Sequence, residues 1–392
     1  CQLKFTSFHQ QNSLIIKLFP FKVVIFANVT MALRILLLGD INSPHIQKWA
    51  TGLANDNFEI GIFSFNRTGN EWYSTKKNIE CLYQANAHQK NTGLSKLTYL
   101  LLLPRLLFII LKFKPAIIHA HYASSYGLLG ALTFFKPLVV SVWGSDVIAF
   151  PRNKLKRCLM KFVFRRSSRI SVTSVFLEQE VKKYTRKKTE VIPFGIDMRE
   201  FYPRSRKNTY MFTFGFTKHL EPVYNPDKVL DAANVLASKY PHRQLKLIFI
   251  GEGSLRQQLQ QRSQFHSPNL DIEFTGRIGH HFVPDYLNQM DVLVNVSQYE
   301  SFGVSVAEAM ACGVPVIVSD HPGFNDLVPG HQHGVICNAS ANDIYQAMET
   351  LMLDHSKRKL VADAAFERVK QNFNWPVNLK QMERFYNELS LN

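Results

Sequence analysis

Cysteine is scarce. Cys1, Cys81, Cys158, Cys312 and Cys337 are an odd, scattered set with no pair at zinc-ligand or redox spacing. That excludes a disulfide framework and a thiolate metal site, and fits a reducing cytosol. Long hydrophobic runs are missing too. The strongest candidate, Leu97 to Leu111, spans fifteen residues and contains Pro104 and Arg105, where a bilayer span needs about twenty apolar positions. It reads as a buried or interfacial helix. No zinc-finger spacing, RNP-like aromatic strand or helix-turn-helix pattern occurs, so nucleic acid is not expected as a partner. There are no repeats or low-complexity tracts. With 46% apolar and 19% charged residues, the chain has enough apolar material for folded cores.

Acidic residues are scarce in one half only. Residues 1–200 carry 28 lysines and arginines against 11 acids, and residues 201–392 carry 18 against 19, so the formal charge of +16 arises in the first half. Residues 151–190 alone hold 13 basic and 3 acidic side chains, from Arg152 through Arg165, Arg166 and Arg169 to Lys187 and Lys188. Such a patch calls for an anionic partner. Leu155, Met160, Phe162, Val163 and Phe164 are interleaved with it, which suits an amphipathic helix on an anionic membrane surface. It equally suits a helix with one core face and one solvated basic face.

The length suits two α/β domains. From Met31 onward, short leucine-rich or β-branched runs alternate with helical stretches, the pattern of parallel sheets covered on both faces. Strands are predicted near Leu33–Leu38, Glu59–Ser64, Ala116–Ala120, Leu138–Val142, Ile170–Thr173 and Glu190–Ile192. A second set is predicted near Met211–Gly215, Leu245–Ile250, Asp271–Thr275, Val292–Asn295 and Val314–Val318. The expected layout is a leader, 1–30, outside the fold; a first domain, 31–202; a linker, 203–208; and a second domain, 209–372. A C-terminal helix, 373–392, is expected to pack back on the first domain. The expected fold class is α/β, with two facing Rossmann-like, doubly wound domains and a ligand cleft between the carboxyl ends of their sheets.

The sharpest local signal runs from Ser297 to Met310 and sets Glu300 and Glu308 eight positions apart. A strand ending near Val296, a turn through Glu300–Gly303 and a helix from about Val304 bring a helix N-terminus into the cleft, a site suited to phosphate. Gly303 allows close approach to the backbone. Glu308, one turn into the helix, can accept hydrogen bonds from a vicinal diol such as a ribose, and Glu300 faces what lies beyond the phosphates. The alternative is a pair of solvated helix-terminus charges.

The run ESFGVSVAEAMACGVPVIVSD resembles the signature of retaining glycosyltransferase family 4, the group 1 glycosyl transferases, whose members have the GT-B fold. HAHYASSYGLLGAL (119–132), VVSVWGSDV (139–147), VIPFGID (191–197), IGEGSLRQQL (250–259) and FTGRI (274–278) are similar to further blocks of that family, in the same order. The resemblance covers roughly residues 32–389. It implies transfer of a sugar from a nucleotide diphosphate sugar donor to an acceptor hydroxyl with anomeric configuration kept and, usually, no metal and no cofactor. No Asp-x-Asp metal pair occurs in the chain.

By similarity, Glu308 holds the ribose, Glu300 the donor sugar, and the backbone of Phe302, Gly303 and Val304 the sugar and diphosphate, while the Arg277–Ile278 loop lies against the base. Lys218 is the cation expected at the departing diphosphate, whose growing charge must be met by preorganised donors. The sequence departs from the pattern twice. Tyr224 stands where many relatives have a lysine, and Trp143 where many have a histidine near the reaction centre. Asp146 then either serves the sugar or a proton, or caps the next helix. His121, Gly39 and Ser43 are expected on the acceptor side, the last two in a turn that is otherwise an ordinary cap before Pro44.

The resulting expectation is a transferase at the cytoplasmic face of the cell membrane, acting on a lipid-linked or surface-polysaccharide precursor. A nucleotide-sugar 2-epimerase and a non-catalytic nucleotide or polyanion binder are the alternatives.

Overall fold

The computed structural model describes residues 16–17, 22–23, 32–55, 57–85, 93–148, 153–205 and 210–390. Of the leader it describes only a two-residue ladder, Ile16–Lys17 with Lys22–Val23. The rest of residues 1–30, the linker beyond 205 and Arg152 lie outside the described residues.

Each half builds its own parallel sheet. The first contains β1 (Leu33–Leu38), β2 (Phe58–Ser64), β3 (Ile79–Gln84), β4 (Ile117–His121), β5 (Leu138–Val142), β6 (Arg169–Val172) and β7 (Thr189–Val191), ordered β3-β2-β1-β4-β5-β6-β7. The two-residue period sends Leu36, Leu38, Ile118, Ala120, Val140 and Val142 into one core and Ile35, Leu37, Ile117 and Val139 into the other. Because both faces are covered, the strands read as nearly unbroken apolar runs. The second face is closed by α1 (Pro44–Leu53) and by the C-terminal helix Trp375–Ser390, whose Trp375, Met382, Phe385 and Tyr386 enter that core. The first face carries α2 (Leu103–Phe113), α3 (Lys154–Arg166) and α4 (Val175–Lys182).

The second sheet contains β8 (Phe212–Thr217), β9 (Leu245–Ile250), β10 (Leu270–Gly276), β11 (Val292–Asn295), β12 (Val316–Ser319) and β13 (Val335–Cys337), ordered β10-β9-β8-β11-β12-β13. In both sheets the first strand lies inside and the chain reverses direction beside it. That doubly wound order places a ligand crevice at the carboxyl ends of the strands.

Two strands escape the sequence reading, β3 and β13. β3 sits at a sheet edge, β13 is a three-residue edge strand, and their residues are largely half-buried. With one strand neighbour instead of two, they need no continuous apolar run.

The segment from Leu97 to Leu111 is neither wholly buried nor a span. It runs through a 3-10 stretch into α2, which buries Leu106, Ile109 and Phe113 and leaves Leu107, Phe108 and Leu111 exposed, with Leu101 exposed just before it. Among the described residues no helix is long and apolar enough to cross a membrane. In α3, Asn153 caps the first turn and Met160, Val163 and Phe164 are buried, while Lys154, Leu155, Arg157, Lys161 and Arg165 face outward. Part of the basic run is structural. Lys187 Nζ donates to the Arg165 and Ser167 carbonyls at the end of α3, and Arg166 donates to the Phe134 carbonyl.

The halves touch where the carboxyl ends of the two sheets face one another. Ser174, at the start of α4, donates through Oγ to the Ser301 carbonyl at 2.5 Å, and the Val175 amide donates to Asp326 Oδ2 at 2.8 Å. Gly144, at φ +131°, lies so close to Ser301 that a Cβ would stand 2.5 Å from the serine Cβ. Only glycine tolerates both that backbone and that contact.

Candidate active site

The Glu300 to Glu308 segment follows β11 and enters α5 (Val304–Ala311) through Gly303 at φ +89°. A side chain at 303 would be strained by that φ and would stand 3.0 Å from the Phe324 ring. Phe302 is fully buried, with ring centroids 6.5 Å from Phe194 and 5.4 Å from Phe373. The segment 302–304 is thus pinned by its phenylalanine, and Phe302 and Gly303 can offer a ligand little besides backbone.

Both glutamates are nearly buried, and each has a partner. Lys218, one residue beyond β8, places Nζ 2.5 Å from Glu300 Oε2. With side chains 16% and 9% exposed, neither charge is well hydrated, so each depends on the other. The Tyr224 ring centroid lies 5.4 Å from the same ammonium, so this phenol supports Lys218 through its π-face. Glu308 Oε1 accepts from His280 Nε2 at 2.8 Å, and this contact raises the imidazole above its ordinary pKa against the opposing effect of burial. Burial lowers the pKa of Lys48 on α1, opposed first by the charge of Glu308 and then by that of Asp197. Its Nζ donates to the Gly195 carbonyl at 2.9 Å and lies over the Trp375 ring. The charge of Glu308 is therefore felt in the first domain.

The wall contributed by the first domain is aromatic. Trp143 lies edge-on to His45 at 5.6 Å and to Phe194 at 5.4 Å, and 5.2 Å from the His121 ring, while His45 stacks on Phe194 at 3.9 Å. Burial pushes His45 and His121 each down to about 3, so both imidazoles are neutral.

Three residues expected on this wall, His121, Asp146 and Gly39, are buried. His121 does not line an open surface: it is 2% exposed, packed against Trp143 and His119, and neither ring nitrogen has a hydrogen-bond partner. Asp146 has both carboxylate oxygens engaged by backbone amides, Oδ1 by Gly144 at 2.8 Å and Trp143 at 3.2 Å, Oδ2 by Ala123 at 2.8 Å. It is a buried clamp joining two turns, neither a cap on the amides of the following helix nor a carboxylate presented to a substrate. Gly39 is buried against Ile46, while Ser43 holds the N-cap position of α1 without a side-chain cap bond. Arg277 is exposed just after Gly276, and Ile278 packs on the second-domain core.

Sequence reasoning placed His45 in a cleft-facing turn but missed Lys48, His280 and Ser174. A signal existed for two of them. His280 follows Arg277 by three residues, just past the 274–278 block, and Lys48 lies one turn beyond Pro44 in the helix whose start was expected to face the cleft.

Two facing doubly wound domains with this wall define a GT-B glycosyltransferase. The family model described as "Glycosyl transferases group 1" matches residues 197–368, and that described as "Glycosyl transferase 4-like" matches residues 34–174. The two models match the two halves in turn, and the chain is a GT4-type glycosyltransferase. It is 27% identical over 281 residues to a putative teichuronic acid biosynthesis glycosyltransferase, TuaC, of Bacillus subtilis, covering 69% of this chain and 70% of the relative. Sucrose-phosphate synthase from Thermosynechococcus elongatus has the same fold at TM-score 0.76 and 20% identity, covering 91% of this chain and 99% of that one. HepE of Anabaena, solved in complex with UDP-glucose, matches at TM-score 0.73 and 18% identity, covering 91% and 100%.

Proposed function

We propose that this chain is a retaining transferase that moves a hexosyl or N-acetylhexosaminyl group from a nucleoside diphosphate sugar to a hydroxyl of a lipid-linked or cell-surface polysaccharide precursor. The observation that carries this reading is one wall holding two buried, paired carboxylates eight residues apart. In this reading Glu308 holds the ribose, Glu300 the donor sugar, and Lys218, paired with Glu300, meets the departing diphosphate. The UDP-glucose complex of HepE and the description of TuaC support the donor class and the acceptor class respectively.

In the proposed step the acceptor oxygen bonds to the anomeric carbon on the face from which the diphosphate leaves. The carbon–oxygen bond to phosphate breaks, and the acceptor proton passes to the departing phosphate oxygen. Glu300, already held by Lys218, is a binding group rather than a nucleophile. Lys218 and backbone amides meet the leaving charge without a metal.

An anionic membrane surface is the proposed location of the acceptor. The outward apolar side chains Leu101, Leu107, Phe108 and Leu111 at α2, and the cations Lys154, Arg157, Lys161 and Arg165 of α3, belong to helices covering the same face of the first sheet. A face that is both apolar and basic suits acidic lipid.

The test is a panel of UDP-, GDP- and ADP-sugars, with released nucleotide followed in the presence and absence of EDTA. Release from one donor, unchanged by chelator, and a product whose anomeric coupling matches the donor's support the reading. An inverted product overturns retention, loss of release with EDTA overturns metal independence, and interconversion of the donor sugar without transfer makes the protein an epimerase. No release from any donor favours a non-catalytic binder.

A further inference from the structure

Glu308 meets two claims on one carboxylate. Its side chain is 8% exposed, so little of it faces outward, and Oε1 is engaged by His280 Nε2 at 2.8 Å. A vicinal diol binds a carboxylate best through both oxygens at once, and Oε1, which it would then use, is the oxygen that His280 engages. The two partners of the pair are unequal in freedom. Glu308 is fixed within α5 among buried residues, whereas the His280 side chain is 49% exposed and sits on the 3-10 turn His280–Phe282 just after Gly279. The histidine is the partner that can leave, since its ring can rehydrate where the glutamate cannot.

We infer that His280 and the ribose diol compete for the Glu308 carboxylate, so that His280 is displaced when a nucleoside diphosphate binds. This rests on the proposed role of Glu308 and adds a regulator of the same site.

The competition depends on protonation. The groups facing His280 are Glu308 from α5, Lys48 and His45 from α1, and Glu200 from the connection between the domains; the Phe201 ring stands 5.3 Å away. Glu308 and Glu200 favour the imidazolium, Lys48 and burial oppose it, and the pKa is raised. Below that raised value the ion pair is complete and resists the nucleotide; above it the neutral ring releases Glu308 at lower cost. Nucleotide binding thus expels a proton from His280 wherever the ring is protonated.

The experiment measures UDP, GDP and ADP affinity by titration calorimetry at pH 6 and pH 8 on the full chain, its His280→Ala variant and its Glu308→Gln variant. The terminal phosphate of the nucleotide itself titrates near pH 6, so the readout is the ratio of wild type to variant at each pH. His280→Ala is expected to bind the nucleotide severalfold more tightly than wild type at pH 6, and the ratio is expected to shrink toward one at pH 8. The histidine ring resonances should show His280 titrating above an ordinary imidazole in wild type and returning to the ordinary range in Glu308→Gln.

Equal affinities of wild type and His280→Ala at both pH values, with binding lost in Glu308→Gln, overturn the competition and leave the donor site standing. Weaker binding by His280→Ala at both pH values makes His280 a ligand contact and overturns it as well. No binding of any of the three nucleotides removes the donor reading and this inference with it.

Discussion

The two walls of the cleft are built on opposite electrostatic plans. The wall of the second domain is ionic, with Lys218 on Glu300 and His280 on Glu308, each pair nearly buried on its acidic side. The wall of the first domain is aromatic and neutral, with His45, His121, Trp143 and Phe194 in mutual ring contact and both imidazoles stripped of charge by burial. The contrast is paradoxical at first, because the first half of the chain carries the whole net positive charge. The resolution is spatial. A cluster of its cations lies on α3, where Lys154, Arg157, Lys161 and Arg165 face outward, whereas Lys48 of α1 feels the charge of Glu308. The difference teaches that net charge of a domain and charge of its site are set separately: the first follows solubility and long-range partners, the second the group being bound.

The sharpest way to break the comparison is to remove a charge from the ionic wall. Lys218→Met should lower the transfer rate by about 10²- to 10³-fold, the range seen when one preorganised donor to developing charge is deleted. Steady-state turnover with the active donor measures it, and a change under threefold would disconnect Lys218 from the leaving group. Glu308→Ala should weaken nucleotide binding roughly ten- to a hundredfold, about 1.5–3 kcal/mol for a charge-assisted contact. An unchanged titration would remove the ribose role.

The neutral wall has its own test, in acid. His45 and His121 have folded pKa values near 3, far below the ordinary imidazole. The unfolded chain therefore takes up protons below about 6.5 that the folded chain refuses. Their contribution is fully present above that pH and is lost as pH falls toward 3, at up to about 1.4 kcal/mol per pH unit for each ring. Thermal melts between pH 7 and pH 5 should steepen accordingly, and His45→Phe should flatten the slope. An acid limb identical in wild type and variant would mean that His45 is not held neutral.

The smallest effect per side chain belongs to the outer surface. Neutralising Lys154, Arg157, Lys161 and Arg165 to glutamine should reduce adsorption to acidic vesicles by up to about 1 kcal/mol per side chain, an effect that disappears in high salt. Nucleotide affinity is expected to stay as in wild type. Vesicle flotation that does not distinguish the proteins would return this face to solvent.

Much of the frame was legible. β1, β5, β9 and β11 coincide with the predicted strands because each is a buried strand written in apolar residues. The edge strands β3 and β13 were not legible, since half-burial leaves no unbroken apolar run. Glu300 and Glu308 stood out by spacing within one turn and helix. Their partners did not: Lys218 is 82 residues from Glu300 and His280 is 28 from Glu308, and no periodicity links positions so far apart. Asp146 was ambiguous between substrate and cap, and the three amides that engage it come from two separate turns.

By itself the sequence determined the alternation of strand and helix, the division into two sheets, the charge asymmetry and the helix that carries the two carboxylates. Those properties are periodic or additive along the chain, and burial in a parallel sheet leaves an imprint on every residue of a run. The tertiary structure alone decided which cation meets which carboxylate, that Trp143 covers a silent histidine, and that Asp146 is consumed by the backbone. Pairing and neutrality depend on distance and on exclusion of water between segments remote in sequence, and both come into being only when the two sheets close on one another.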